Sequence, residues 1–277
     1  MSILATATNG KRPRPRRTVL YGTHGIGKTT WGAAWPSPLI LPTEDGNADI
    51  DCAALPLIVD PAEVWEAARE LSNPTEPHPF KTAVLDSADW LERLIWKRLC
   101  HDEDKNSIED FGFGKGHTKT AEKLAPILSA FNGCRDAGLH VVILAHCEIR
   151  KVEKPTGESY GCYQPKLNKA SAALLQEWAD EVLFADYEIM TRTKDEGFNK
   201  TREIAIGEGE RVIMTTERPG WLAKNRLGLP HKMPMNFAEY AKYLPPISAP
   251  GNVPGAVVNG SSKGGGTDAT NAAKTEA

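Results

Sequence analysis

Eight residues, Gly22-Thr23-His24-Gly25-Ile26-Gly27-Lys28-Thr29, have the types and the spacing of a phosphate cradle. Glycines at the first and sixth positions let the backbone wrap an anion so that successive N–H groups point inward. Lys28 then supplies a point charge for β- and γ-phosphates, and the Thr29 hydroxyl, followed by Thr30, can take a position on Mg²⁺. Three more polar residues end apolar runs: Glu44 after Leu39-Ile40-Leu41, Asp86 after Thr82-Ala83-Val84-Leu85, and His146 after Val141-Val142-Ile143-Leu144-Ala145. In an α/β protein the ligand lies at the carboxyl ends of parallel strands. Asp86 is therefore expected to hold Mg²⁺ in the manner of a Walker B aspartate, Glu44 to orient a water for attack on the γ-phosphate, and His146 to sense that phosphate by a hydrogen bond. Each also has a plainer reading, an acidic turn at Glu44 and a hydrogen-bonded strand end at Asp86 and His146.

These residues must be positioned by alternating strands and helices. Residues 18–21 read as a β-branched and aromatic strand leading into the phosphate loop, and 30–35 as a helix that stops before Pro36. Strands are expected at 39–41, 57–59, 82–87 and 141–146. Asp60-Pro61-Ala62-Glu63 combines an N-cap, a proline at the first helical position and a glutamate at the third, with Val64, Ala67, Ala68 and Leu71 as the apolar stripe. Leu91, Leu94, Ile95 and Leu99 stripe the next helix. A helix over 118–137 with Leu124, Ile127, Leu128 and Phe131 inward closes at Gly138. A helix at 170–178, a strand at 181–185 and a hairpin pairing 203–206 with 211–214 around Gly207-Glu208-Gly209 follow. From Pro245 the chain is rich in Pro, Gly, Ser and Asn and is expected to be disordered.

The 277 residues, 40% of them hydrophobic, suffice for one α/β core. A net charge of −3 gives no global basic field, so any nucleic-acid contact must come from local clusters. Five cysteines without a C-x-x-C pair suit a reducing compartment and supply no metal framework. No apolar run approaches the ~18 residues of a membrane helix and no signal-peptide core is present, so a cytoplasmic protein without membrane contact is expected. Local basic clusters do exist. Lys11 to Arg17 carries five positive charges among prolines, either as a solvated lead-in or as a contact to a phosphate backbone. The interval 102–119, with Phe111, Phe113 and Lys115 among glycines, is either a base-stacking loop or a disordered insert. Between 148 and 169, Arg150, Lys151, Lys154 and Lys166 interleave with Tyr160 and Tyr163, the pattern of a mobile loop that binds single strands.

Taken in order, the phosphate loop, Glu44, Asp86, His146, the basic loop and Lys224-Asn225-Arg226 resemble a RecA-type ATPase core. The likeness is strongest to the phage-encoded nucleotide-binding proteins related to single-strand annealing recombinases, and it covers residues 17–244. It implies a RecA-like P-loop NTPase with a mostly parallel sheet flanked by helices, a basic flexible arm at 1–16 and a disordered tail at 245–277. It further implies ATP and Mg²⁺ as ligands, hydrolysis with Glu44 as the catalytic glutamate, and action on single-stranded DNA in recombination or annealing. His146 would stand where recombinases carry a glutamine that couples nucleotide state to DNA. Lys224 and Arg226 would reach a neighbouring subunit's γ-phosphate in a ring or filament, and a single-strand-binding protein would be a further partner. A hexameric helicase or motor on the same core, and a nucleotide-dependent scaffold or switch that ignores DNA, are the rival readings. Host cytoplasm is the expected location for a phage-encoded chain.

Overall fold

Apolar runs buried on both faces make the strands of one large sheet, the pattern expected where helices cover both sides. The computed structural model describes residues 4, 7, 9–10, 12–153, 158–188, 190–195, 201–206 and 209–246. Its elements run β1 (Arg17–Gly22), α1 (Lys28–Ala33), β2 (Pro38–Pro42), β3 (Ala53–Ala54), α2 (Pro61–Leu71), β4 (Thr82–Asp86), α3 (Ala88–Asp102), α4 (Lys115–Asp136), β5 (His140–Val152), β6 (Tyr160–Pro165) and α5 (Lys169–Trp178). There follow β7 (Glu181–Tyr187), β8 (Met190–Asp195), β9 (Thr201–Ile206), β10 (Arg211–Met214), β11 (Lys232–Pro234) and α6 (Phe237–Ala241). The sheet order is β11-β10-β7-β1-β5-β4-β2-β3, parallel from β7 to β3, with β10 and β11 antiparallel at one edge. This is the mixed α/β, mostly parallel architecture expected of a P-loop NTPase.

Strand alternation divides the core in two. Val19, Tyr21, Leu39, Leu41, Leu85, Val141 and Ile143 meet the face covered by α2, α3, α4 and α5, while Leu20, Ile40, Val84, Val142 and Leu144 meet α1 and α6. On that second face Trp31 sets its ring edge against Trp35 and Tyr240, at 5.5 and 5.3 Å between centroids. Gly32 lets α1 lie this close, because a Cβ there would stand 2.9 Å from Val84 Cγ1. The capping box at the start of α2 forms as its residues require: Asp60 Oδ1 accepts from Ala62 N at 2.9 Å and Glu63 Oε1 from Asp60 N at 3.2 Å.

Four expectations need correction. Residues 57–59 are not a strand; the edge strand is Ala53–Ala54, and Ile58 is held by one bond from its N–H to Pro42 O, 2.8 Å. The hairpin joins β8 to β9, not 203–206 to 211–214. Val212 and Ile213 are buried, and β10 gives its hydrogen bonds to β7 on one side and β11 on the other. Gly207 and Glu208, and the tail from residue 247, lie outside the described residues. The supposed mobile loop after His146 is largely β-structure: β5 continues to Val152 and pairs antiparallel with β6. The interval 102–119 also has structure, with a 3-10 turn at Ile108–Phe111 followed directly by α4; Phe113 is fully exposed, whereas Phe111 packs against the core beneath Lys119. Among the described residues no helix is long and apolar enough to cross a membrane.

Candidate nucleotide site

β1 delivers the chain to the phosphate loop at Gly22, and α1 starts at Lys28 with Gly27 as its N-cap. Gly27 has φ +96°, a left-handed conformation that side chains disfavour, and it brings no side-chain cap to the first N–H groups of α1. Those donors are left for an anion. Lys28 is buried and donates from Nζ to Gly22 O and Thr23 O at 3.2 and 2.9 Å, which folds its side chain back over the loop. Burial lowers its pKa, against the raising influence of Asp86, Asp89 and Glu44.

The sheet order explains how the other groups converge. β5 lies between β1 and β4, so His146, in register with Gly22, emerges between the phosphate loop and Asp86. Thr29 Oγ1 donates to Asp86 Oδ2 at 2.6 Å, joining the hydroxyl and carboxylate that the sequence assigned to Mg²⁺. Burial raises the Asp86 pKa, with the Thr29 bond and Lys28 opposing. Thr43 ties the end of β2 to that of β4: its N–H donates to Asp86 O at 2.7 Å, its hydroxyl donates to Ser87 O at 2.8 Å, and the same oxygen accepts from Ser87 N at 2.8 Å. This clasp brings a Glu44 carboxylate oxygen to 3.9 Å from His146 Nδ1. Glu44 is pushed above the usual carboxylate range, by burial first and then by the charges of Asp86 and Asp89, with His146 opposing.

Asp89 was missed in the sequence. From the first turn of α3 it accepts the His146 backbone N–H at 2.9 Å and faces His146 Nδ1 at 3.0 Å. Burial pushes the Asp89 carboxyl up, but the bonds and charge of His146 outweigh it and hold its pKa below the ordinary value. An ionised Asp89 fixes the proton of His146 on Nδ1 and turns Nε2 toward other partners. An acidic residue three positions after Asp86 was the available signal, hidden because acids are common at helix starts. The His24 ring, from the phosphate loop, stacks on His146 with centroids 4.1 Å apart, and its pKa is lowered by His146, by burial and by Lys28. Arg211 was missed too. It reaches from β10 to donate to Ile26 O at 3.2 Å.

Lys224 and Arg226 stand elsewhere. Lys224 pairs with Val182 near the start of β7, and its Nζ donates to Gln176 O, Glu177 O and Ala179 O at 2.7, 3.2 and 2.6 Å, capping the end of α5. Arg226 lies 3.6 Å from Asp180, which immediately precedes β7. Both cations therefore occupy the sheet edge opposite their own phosphate loop. Of the basic and aromatic residues assigned to DNA, Arg150 is bonded to Glu148 and to Leu167 O, and Tyr163 is stacked on Phe184 at 4.9 Å, a core contact rather than a free platform. Lys151 is 70% exposed beside Glu153, Tyr160 and Lys166 flank the same β5–β6 ribbon, and Lys154 lies outside the described residues. Two charges of the N-terminal arm are also spoken for, since Arg16 binds Glu181 and Arg17 binds Asp180.

A family model described as an AAA domain matches residues 14–227, the span that carries every element of this site. The chain belongs to the AAA domain family of P-loop ATPases. Within the AAA domain the match takes in the phosphate loop, Glu44, Asp86, Asp89 and His146 alike. A relative, the SPbeta prophage-derived uncharacterized protein YorG of Bacillus subtilis (strain 168), is 26% identical over 187 residues. The alignment covers 66% of this chain and 53% of that protein, so the chain matches about half the relative's length. The family match makes this AAA domain a P-loop nucleotide-binding domain, and the relative it resembles is prophage-derived. Mg²⁺ fits the donor set: hard oxygens from Thr29 and Asp86 side by side suit an ion that takes few protein ligands and completes its shell with phosphates and water. No cluster of three or more His, Cys, Asp or Glu that could hold a metal occurs among the described residues.

Proposed function

We propose that this AAA domain hydrolyses ATP and acts on single-stranded DNA in recombination or annealing. Lys28 and the loop amides would hold the phosphates, Thr29 and Asp86 would hold Mg²⁺, whose charge offsets that of the phosphates, and Glu44 would orient the attacking water. A raised Glu44 pKa suits this role, since a base works best with a pKa near the operating pH. The observation that carries the DNA part is the course of β5. One strand runs from His146, which would stand beside the γ-phosphate, to Arg150 and Lys151 on the β5–β6 ribbon, and Lys166 N returns to bond His146 O at 2.8 Å. A shift of His146 with nucleotide state would thus be felt in the ribbon.

The position of Arg226 bears on assembly. A cation on the edge opposite the phosphate loop can complete an active site only in a neighbour, and that contact is head-to-tail, the kind that generates rings or filaments. The deciding experiment is the ATPase rate with and without single-stranded DNA. Stimulation supports the reading. A rate indifferent to DNA favours a nucleotide-dependent switch, which the engagement of Arg150 and Tyr163 inside the fold would also suit, and unwinding of forked DNA would point to a helicase.

A further inference from the structure

The Thr29–Asp86 pair and the group of Glu44, His146 and Asp89 all lie on the β4 side of the phosphate loop. That pair would hold Mg²⁺ to offset phosphate charge and Glu44 would orient the attacking water, so the γ-phosphate end of a bound nucleotide would face β4 and β2. The nucleoside must leave in the other direction, over the carboxyl end of β7 and the neighbouring β10. We propose that Tyr187 and Arg211 build the nucleoside side of the site, with Tyr187 stacking on the base and Arg211 binding the α-phosphate. The inference deepens the nucleotide-binding reading and rests on it.

Tyr187 and Arg211 are directly paired in the β7–β10 register. Leu183, Ala185 and Ile213, two or four residues away along the same strands, pack in the cluster around Trp31, so alternation sends Tyr187 and Arg211 out on the face from which α1 rises. Arg211 is already at the loop: besides its bond to Ile26 O, its Nη1 would be 2.6 Å from a Cβ placed on Gly27. A guanidinium offers five N–H donors, and this contact engages one of them. A planar fork beside a phosphate loop is the group suited to bind phosphate oxygens in pairs. Tyr187 is 41% exposed at the strand end, outside both core clusters, and its ring stacks on no other among the described residues. An exposed aromatic there is a π-face for whichever base arrives, so this side contributes affinity without strong choice between bases.

The test is displacement of a fluorescent ADP analogue by ADP, inorganic tripolyphosphate and pyrophosphate, on the full chain and on Y187A, Y187W, R211A and K28A, with unfolding temperature as a fold control. Y187A is expected to weaken ADP about tenfold while leaving tripolyphosphate within about twofold, and Y187W to keep wild-type affinity. R211A is expected to weaken ADP and tripolyphosphate about tenfold each but not pyrophosphate, which fills only the two deeper phosphate positions. Y187A binding ADP like wild type overturns the base platform. R211A weakening pyrophosphate as much as tripolyphosphate, or weakening nothing, overturns the α-phosphate contact and leaves Arg211 as a brace of the loop. Wild-type protein that does not bind the analogue, or K28A that binds it unchanged, refutes the nucleotide site itself and this inference with it.

Discussion

Lys28 is the side chain expected to matter most to the ligand and least to the fold. Its bonds go to two carbonyls of its own loop, so Lys28→Ala should retain the unfolding transition of wild type yet lose nucleotide binding, read by the same displacement titration. Glu44→Gln should keep ATP bound and slow its turnover. Burial raises the pKa of the Glu44 carboxyl, so if the carboxylate orients the attacking water the wild-type rate should fall on acidification at a higher pH than an unperturbed glutamate would give, and Glu44→Gln should lack that limb of the profile. Asp89 is bonded to His146 through both backbone and ring. Asp89→Ala leaves the buried His146 N–H unpaired, at a cost of about 1–3 kcal/mol in denaturant unfolding at neutral pH. Its folded pKa is depressed, so its contribution is present above the unfolded value and disappears as pH falls through the folded one; the gap between variant and wild type should narrow in acid.

At the scale of elements, cations that read as DNA contacts turn out to join secondary structures. Arg17 donates to Asp180 from its N–H, Nε and Nη2 at 3.1, 3.3 and 3.1 Å, donates to Asn132 Oδ1 at 2.9 Å, and lies over the Trp178 ring, so it fastens β1 to α4, α5 and β7. Removing one member of such a poorly exposed pair strands the other charge. Arg17→Ala should destabilise by about 2–4 kcal/mol by denaturant titration, with Arg135 and Arg226 near Asp180 moderating the loss. The β5–β6 ribbon has the opposite character, exposed and weakly paired at Lys151. If it follows a strand of DNA, log affinity should fall with log salt at about −0.7 per phosphate neutralised, and Lys151→Ala should flatten that slope by about one contact.

The whole-molecule question is whether two opposite edges of the sheet meet in an assembly. Arg226→Ala should still bind nucleotide but lose most turnover, by ~10³ if it acts as an arginine finger. Mixing it with Glu44→Gln should restore part of the rate at interfaces receiving one intact half from each chain. A protein that remains monomeric with ATP and single-stranded DNA and still turns over at full rate would leave Arg226 as no more than a partner of Asp180.

The phosphate loop, Asp86, Glu44 and the capping box of α2 were legible in the sequence because each is a local pattern whose geometry follows from a few consecutive residues. The parallel core was legible for a similar reason, as strands buried on both faces are continuous apolar runs. Local pattern failed where pairing is decided between distant segments. Residues 211–214 look like half of a hairpin until β7 and β11 claim both of their edges, and 148–152 look like a loop because an antiparallel ribbon standing beyond the core needs no apolar run. The same holds for charge. Sequence supplies the cations Arg17, Lys224 and Arg211 without their partners; only the tertiary structure spends the first on Asp180, the second on the end of α5, and brings the third to the phosphate loop. It alone seats β5 between β1 and β4, which is what puts Asp89, His146 and His24 within reach of one another.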